Sequence, residues 1–188
     1  MAGIFFAKIF VKLLCLIEIP LCHFINVGTI INIFVKFVWA DNIENFKFII
    51  AVGVSELAGI IGSFFTAPSI PTWYRALEKP ALNPPSFIFG PVWAALYFLM
   101  GTAAFLVWSS YAKASAGQAQ RKIKVALGVF GFQLFLNAVW SIIFFGLQNP
   151  GLAFVDIIIL WFAIVWTIVV FYKISKPAAY LLVPYLLW

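Results

Sequence analysis

PTWYRALEKPALNPPSFIFGPVWAALY, residues 71–97, decides how the chain is read. It opens with the one long polar break in an otherwise apolar sequence. It holds five of the ten prolines, two of the eight tryptophans, and the charged residues Arg75, Glu78 and Lys79. From Phe87 it runs without a gap into an apolar segment. A connector this rich in proline and tryptophan is more than a minimal turn. It reads as a lid over a ligand site, followed by one wall of that site.

The sequence on both sides is built for lipid. Of 188 residues, 65% are hydrophobic and only 10% charged, a composition that no soluble domain of this size hides from water. Several apolar runs reach the roughly 20 residues that cross a hydrocarbon core of about 30 Å. They are continuous and do not alternate with period two, which argues against a β-barrel. The expected fold class is an all-α integral membrane protein. Residues 46–188 form a five-transmembrane-helix bundle, and 1–45 an appended apolar segment and linker. In 1–40 the apolar runs are broken by Lys8, Lys12, Glu18, Pro20, His23, Asn26, Asn32 and Lys36. No small-x-small cleavage site marks a removable signal there. Spans are expected at 46–67, 87–110, 125–147 and 152–172, with a lid at 68–86 and a basic loop at 111–124. The fifth begins at Ala178. Its eleven residues to Trp188 reach about 16 Å, half a bilayer, so this helix reads as truncated.

The net charge of +6 sits at span ends, which reads as membrane orientation and not as nucleic-acid binding. Lys36, Lys47, Lys113, Arg121, Lys122, Lys124, Lys173 and Lys176 fall on one side, Arg75 and Lys79 on the other. The positive-inside rule places the first group in the cytoplasm and the lid outside. Cys15 and Cys22 form neither a disulfide framework nor a metal spacing. With His23 as the single histidine, no metal site is expected.

The first span carries Ser55, Gly59 and Ser63 at four-residue steps, with Gly62 and Thr66 beside them, a small-residue stripe that admits a neighbouring helix. Glu56 beside it needs protein, a polar cavity or a proton. Gly90, Trp93, Tyr97, Gly101, Ala104 and Trp108 step by three or four along the second span. The candidate site lies under the lid. Trp73, Tyr74 and Pro84 cover it, Trp93 and Tyr97 come from span two, Asn137 and Trp140 from span three, and Trp188 from span five. Aromatic walls with a few polar handles suit a planar apolar ligand.

Plainer readings stand beside this one. For Trp93, pocket lining and helix packing are equally compatible with the periodicity. Trp39, Trp108, Trp161 and Trp166 fit an interfacial belt or a lipid-facing position better. Gln133 and Asn137, one turn apart, fit helix bridging slightly better than ligand contact. Asp156 fits a cap or dipole partner better than a proton relay. Arg75, Glu78 and Lys79 read as a solvated patch, a mutual pairing, or a clamp for a ligand carboxylate. No Ser/His/Asp set, carboxylate pair or phosphate loop is present to direct catalysis.

Three blocks resemble one known family. They are SELAGIIGSFFTAPSIPTWYRALEKPALNPPSFIFGPVWAALYFLMG (55–101), QLFLNAVWSIIFFGLQNPGLAFVD (133–156) and KPAAYLLVPYLLW (176–188). In this order, with WYxxLxKPxxxPPxxxFxPVW and PYLLW, they are similar to the tryptophan-rich sensory protein/translocator protein (TspO/MBR) family. The similarity covers roughly 51–188. It implies a five-helix bundle, a homodimer, and binding of porphyrins, of isoquinoline- and benzodiazepine-type molecules and, in animals, of cholesterol. It implies the cell membrane in a prokaryote and the mitochondrial outer membrane in a eukaryote. Carried over by motif, ligand-lining positions fall on Ser63, Thr66, Tyr74, Pro84, Phe89, Gly90, Tyr97, Asn137, Trp140 and Ser141. The two tryptophans implicated in porphyrin breakdown fall on Trp93 and Trp188. Leu82 and Asn83 stand where many relatives carry Trp and where animal members carry His. The sterol-recognition segment lies past PYLLW.

The function expected first is a membrane receptor or carrier for porphyrin-like ligands, with a regulatory role in tetrapyrrole metabolism and membrane lipid as its surroundings. The second is light-dependent oxidative degradation of protoporphyrin IX through Trp93 and Trp188. No cofactor is needed there, because the porphyrin is its own photosensitiser. The third is a structural or regulatory membrane partner whose aromatics only pack.

Overall fold

The computed structural model describes residues 42–79, 85–114 and 117–188. The appended segment 1–40 and the lid residue Pro84 lie outside the described residues. The chain divides into two units, Met1–Phe46 and Lys47–Trp188; apart from the first residues of the first helix, the second holds what is discussed below. Its described residues are helical, with no strand among them. The helices are α1 (Asn42–Ser69), α2 (Ser86–Lys113), α3 (Gln118–Ser141), α4 (Pro150–Tyr172), α5 (Lys176–Leu181) and α6 (Val183–Leu187). Among the described residues, four stretches are long and apolar enough to cross a membrane: Glu44–Tyr74, Ser86–Tyr111, Gln118–Gly146 and Pro150–Tyr172. The outer faces of α1 and α4 expose Ile49, Leu57, Phe64, Phe154, Trp161, Phe162 and Trp166. In lipid such faces are solvated, whereas in water they would drive aggregation.

The helices extend further than the apolar runs suggest. Instead of ending near Ala67, α1 continues through a π-turn at Ile70–Tyr74 and one more helical step to Ala76. Pro68 and Pro71 each lack an N–H and would interrupt an α-helix. The wider π-turn absorbs the interruption. Within it the Thr72 hydroxyl donates to the carbonyls of Pro68 (3.1 Å) and Ser69 (3.4 Å). The lid is therefore shorter than 68–86. The basic loop at 111–124 shrinks as well, because α2 runs to Lys113 and α3 starts at Gln118. Gln, Ala, Arg and Lys are good helix formers that apolar periodicity overlooks. Gly117 marks the break, with a φ of 94° that L side chains disfavour. The last helix starts at Lys176, ahead of Ala178, and is split at Leu182. Pro184 cannot donate to the Tyr180 carbonyl, so the break follows from the sequence.

Small residues set the helix spacing. A Cβ on Gly101 would lie 2.5 Å from the Val52 Cα, and one on Gly59 would lie 2.4 Å from the Tyr97 ring. Antiparallel α1 and α2 thus meet almost backbone to backbone. A Cβ on Gly62 would lie 2.9 Å from the Ser141 Oγ, so α1 also packs against the parallel α3. The buried line on α1 is Ala51, Ser55, Ala58, Gly62 and Ser69. The four-residue stripe ending at Ser63 is corrected here. Each four-residue step gains about 40° on a 3.6-residue helix, so two steps from Ser55 carry Ser63 off the face and Gly62 takes its place. On α2 nearly every residue from Ala95 to Phe105 is buried. This helix is central, touching α1, α3 and α5, and has no single packed face.

Candidate aromatic ligand site

Alternate helices run in opposite directions, which gathers one set of aromatics at one end. Tyr97 pairs with Asn137 and Met100 with Gln133. Trp93 pairs with Tyr185 and Phe89 with Trp188. The end of α1, the start of α2, the end of α3 and the end of α6 therefore lie together. The basic residues Arg121, Lys122, Lys124, Lys173 and Lys176 belong to the opposite end.

Two helical repeats build the first wall. Phe89 and Trp93 are one turn apart on α2, and Tyr185 and Trp188 are three apart at the close of α6. Their rings meet edge to face, Trp93 to Tyr185 at 6.1 Å and Phe89 to Trp188 at 6.4 Å between centroids. Trp93 also lies 5.6 Å from Tyr97 at a 35° tilt. The second wall comes from Trp140 near the end of α3 and from two π-turns, Ile70–Tyr74 and Ile142–Gly146. Trp140 stacks on Phe144 at 4.9 Å and 9°. Trp73 meets Phe144 at 5.2 Å, and Tyr74 meets Phe145 at 5.8 Å. Tyr74 joins the walls by reaching Phe89 at 6.5 Å. The turns are tied by Ser69, whose hydroxyl donates to the Phe145 carbonyl at 2.9 Å. Pairs at these separations and edge-on angles use the ring quadrupole and hold the walls stiffly.

The polar floor is a network across three helices. The Tyr97 hydroxyl donates to Asn137 Oδ1. Asn137 Nδ2 donates to the Tyr185 hydroxyl at 2.6 Å. Gln133 Nε2 donates to the same oxygen at 3.2 Å and faces Met100 Sδ at 3.8 Å. All four polar residues are buried. Gln133 and Asn137 bridge helices here, each such bond contributing roughly 0.6 kcal/mol on average.

The remaining candidate residues fall differently. Tyr74, Phe89, Trp93, Tyr97, Asn137, Trp140 and Trp188 come together. Gly90 is exposed, with open space where a side chain would stand. Ser141 packs against Gly62, and Thr66 turns its hydroxyl to the Gly62 carbonyl at 3.0 Å. Ser63 is exposed on α1, its hydroxyl 2.7 Å from the Ile60 carbonyl. Lys79 is neither a free patch nor an ion-pair partner in the hydrogen bonds it makes. Its ammonium donates to the carbonyls of Tyr74 (2.6 Å) and Leu77 (2.9 Å), and sits 4.8 Å over the Tyr74 ring. It thereby closes the end of the α1 extension, where the dipole favours a cation. Asp156 does not cap α4. Asn149 does, accepting from the Leu152 N–H at 3.0 Å, while Asp156 lies buried past the first turn.

Sequence reading missed Tyr185, Phe144 and Phe145. For Tyr185 a signal was present, since it precedes Trp188 by three residues and so shares its helical face. For the Phe pair the π-turn that aims them leaves no periodic mark.

Among the described residues, no group of three His, Cys, Asp or Glu is placed to hold a metal.

Comparison with known proteins gives the family. The TspO/MBR family model matches residues 51–188. A "Tryptophan-rich protein TspO" from Chlorobaculum tepidum is 41% identical over 139 residues, 74% of this chain and 84% of the relative. The human "Translocator protein" is 40% identical over 133 residues, 71% of this chain and 76% of the relative. A "Tryptophan-rich sensory protein" from Cereibacter sphaeroides is 34% identical over 116 residues, 62% and 67% of the two chains. With its apolar spans and a family match over most of its length, the chain is a multi-pass integral membrane protein that belongs to the TspO/MBR family.

Proposed function

We propose that this protein is a membrane receptor and carrier for porphyrins and similar planar hydrophobic molecules, taken up among Trp93, Tyr97, Phe89, Tyr74, Trp140 and Trp188. The carrying observation is the pair of aromatic walls meeting at Tyr74 and Phe89 above a buried amide–phenol floor. Flat rings offer stacking to a flat ligand, and the floor keeps polar groups satisfied when water leaves. The names of the human and Cereibacter relatives, translocator and sensory protein, support transport or sensing here. A role in regulating tetrapyrrole metabolism follows from this reading. We extend it to a homodimer in lipid, with the exposed apolar face of α1 as the first place to seek the contact.

Titration of the detergent-solubilised protein with protoporphyrin IX tests the site through quenching of tryptophan fluorescence. Saturable quenching that weakens about tenfold in Trp93→Ala is expected, since stacking on one ring is worth about 0.5–1.5 kcal/mol beyond its buried area. An unchanged titration removes Trp93 from the site. No saturable quenching at all favours a structural partner.

A second reading has one observation in its favour. Trp93 has two oxidisable neighbours, Tyr97 at 5.6 Å and Tyr185 at 6.1 Å. Photoexcited porphyrin can draw an electron from an indole, with dioxygen as the final oxidant. Light-dependent loss of protoporphyrin absorbance that survives in Trp93→Phe/Trp188→Phe at the wild-type rate removes this reading.

A further inference from the structure

Five cations gather at the end of the spans opposite the aromatic site. Arg121, Lys122 and Lys124 stand on the first turns of α3, and Lys173 and Lys176 at the junction of α4 and α5, all of them exposed. The antiparallel register brings the two groups together. Phe130 of α3 stacks on Phe171 of α4 at 5.9 Å between centroids. From that pair both helices lead the same way, α3 backward by about 9 Å to Lys124 and α4 forward to Lys173. No carboxylate of the unit Lys47–Trp188 answers them. Its acidic residues are Glu56, Glu78 and Asp156. Glu78 belongs to the aromatic end, Glu56 lies inside the first span, and Asp156 is about 24 Å along α4 from Tyr172. Exposed like charges within a Debye length repel one another, so the cluster draws its counter-anions from outside the chain.

The rings among the cations say what those anions are. The Lys124 ammonium sits 5.8 Å over the Tyr111 ring and the Lys176 ammonium 5.6 Å over the Tyr172 ring. Tyr172 meets Tyr180 edge to face at 6.2 Å, and the two are 45% and 58% exposed. Exposed phenols at the end of an apolar span belong at headgroup level, where the ring meets hydrocarbon and the hydroxyl meets water. Two of the ammonium groups are therefore held at that level, with their apolar stems against the protein. We propose that this end of the bundle is a binding surface for anionic phospholipids, whose phosphates are taken by Arg121, Lys122, Lys124, Lys173 and Lys176. Arg121 offers a planar fork to a phosphate, and the lysines offer point charges. A free phosphate would have to come from the water, whereas a lipid phosphate already stands at the level of Tyr111 and Tyr172. This surface is independent of the ligand reading at the aromatic end.

Native mass spectrometry of the full chain in detergent, titrated with dioleoylphosphatidylglycerol or dioleoylphosphatidylcholine, tests this. The wild type is expected to bind the anionic lipid about tenfold more tightly. That preference should shrink as ammonium acetate rises from about 0.05 to 0.5 M. Arg121→Gln/Lys122→Gln/Lys173→Gln/Lys176→Gln is expected to bind the two lipids alike, and Arg121→Lys/Lys122→Arg/Lys173→Arg/Lys176→Arg to keep the preference. Lys122→Gln alone should lose part of it, and Arg75→Gln, one charge removed from the opposite end, none. A preference absent from the wild type, or intact in the quadruple glutamine variant, overturns the proposal. Displacement of the lipid by millimolar inorganic phosphate overturns it too, by making the cluster a site for a free anion. Should the quadruple variant fail to fold, the salt dependence of the wild type and the contrast between Lys122→Gln and Arg75→Gln still decide.

Discussion

Gly101 shows how much one missing side chain contributes. Its α-carbon stands where a methyl group would meet the Val52 Cα at 2.5 Å, a backbone atom that cannot rotate away. Gly101→Ala is therefore expected to destabilise the protein by about 1–3 kcal/mol, the cost of overpacking a close contact. Gly128, exposed in α3 with nothing within 4 Å of a built Cβ, serves as the control, and Gly128→Ala should cost nothing and add up to about 1 kcal/mol of helix stability. Thermal unfolding of both variants in the same detergent checks this; equal losses contradict the packing account. Neither glycine announces its role by type. Gly101 was legible because it recurs at helical spacing with Trp93 and Tyr97. Gly62 was visible only as a neighbour of the small-residue stripe, because a four-residue count put Ser63 on the packed face one position along.

Elements end where donors and acceptors can be satisfied, and that rule separates what the sequence discloses from what it hides. The start of α4 is plain in it. Asn149 followed by Pro150 is a cap and an N1 residue, and the side chain takes the Leu152 N–H. Asn149→Ala should cost about 1 kcal/mol and Asn149→Asp little, read from the same unfolding measurement. The end of α1 is hidden, because Pro68 and Pro71 read as helix breakers. Only the three-dimensional arrangement shows a π-turn with Thr72 inside it, Ser69 tied to Phe145, and Lys79 closing the carbonyls. The same turn aims Trp73 and Tyr74 at Phe144 and Phe145. Trp73, Tyr74, Trp93, Tyr97, Trp140 and Trp188 were thus named from the sequence and Phe89 only through the resemblance, whereas Tyr185 was overlooked and the Phe144–Phe145 pair depended on backbone geometry that spacing does not encode.

Across the molecule, composition settled the class, and the antiparallel helices sort the charges that composition only counts. The first turns of α3 carry Arg121, Lys122 and Lys124, and the junction of α4 and α5 carries Lys173 and Lys176, while Arg75 and Lys79 sit at the aromatic end. Positive residues are retained on the cytoplasmic side, so the aromatic end should open away from the cytoplasm. A cysteine at Glu78 should react with a membrane-impermeant maleimide on intact cells or sealed organelles, and one at Lys122 only after permeabilisation. The reverse pattern contradicts this orientation.

The central claim is that the aromatic end of the spans, and not the aromatic surface at large, takes the planar ligand. Side-by-side protoporphyrin IX titrations of Trp93→Ala and Trp161→Ala test it most directly, because Trp161 is 48% exposed on the outer face of α4. Affinity about tenfold weaker for Trp93→Ala, with Trp161→Ala matching the wild type, is the predicted result. Equal affinities in the two variants would contradict the account.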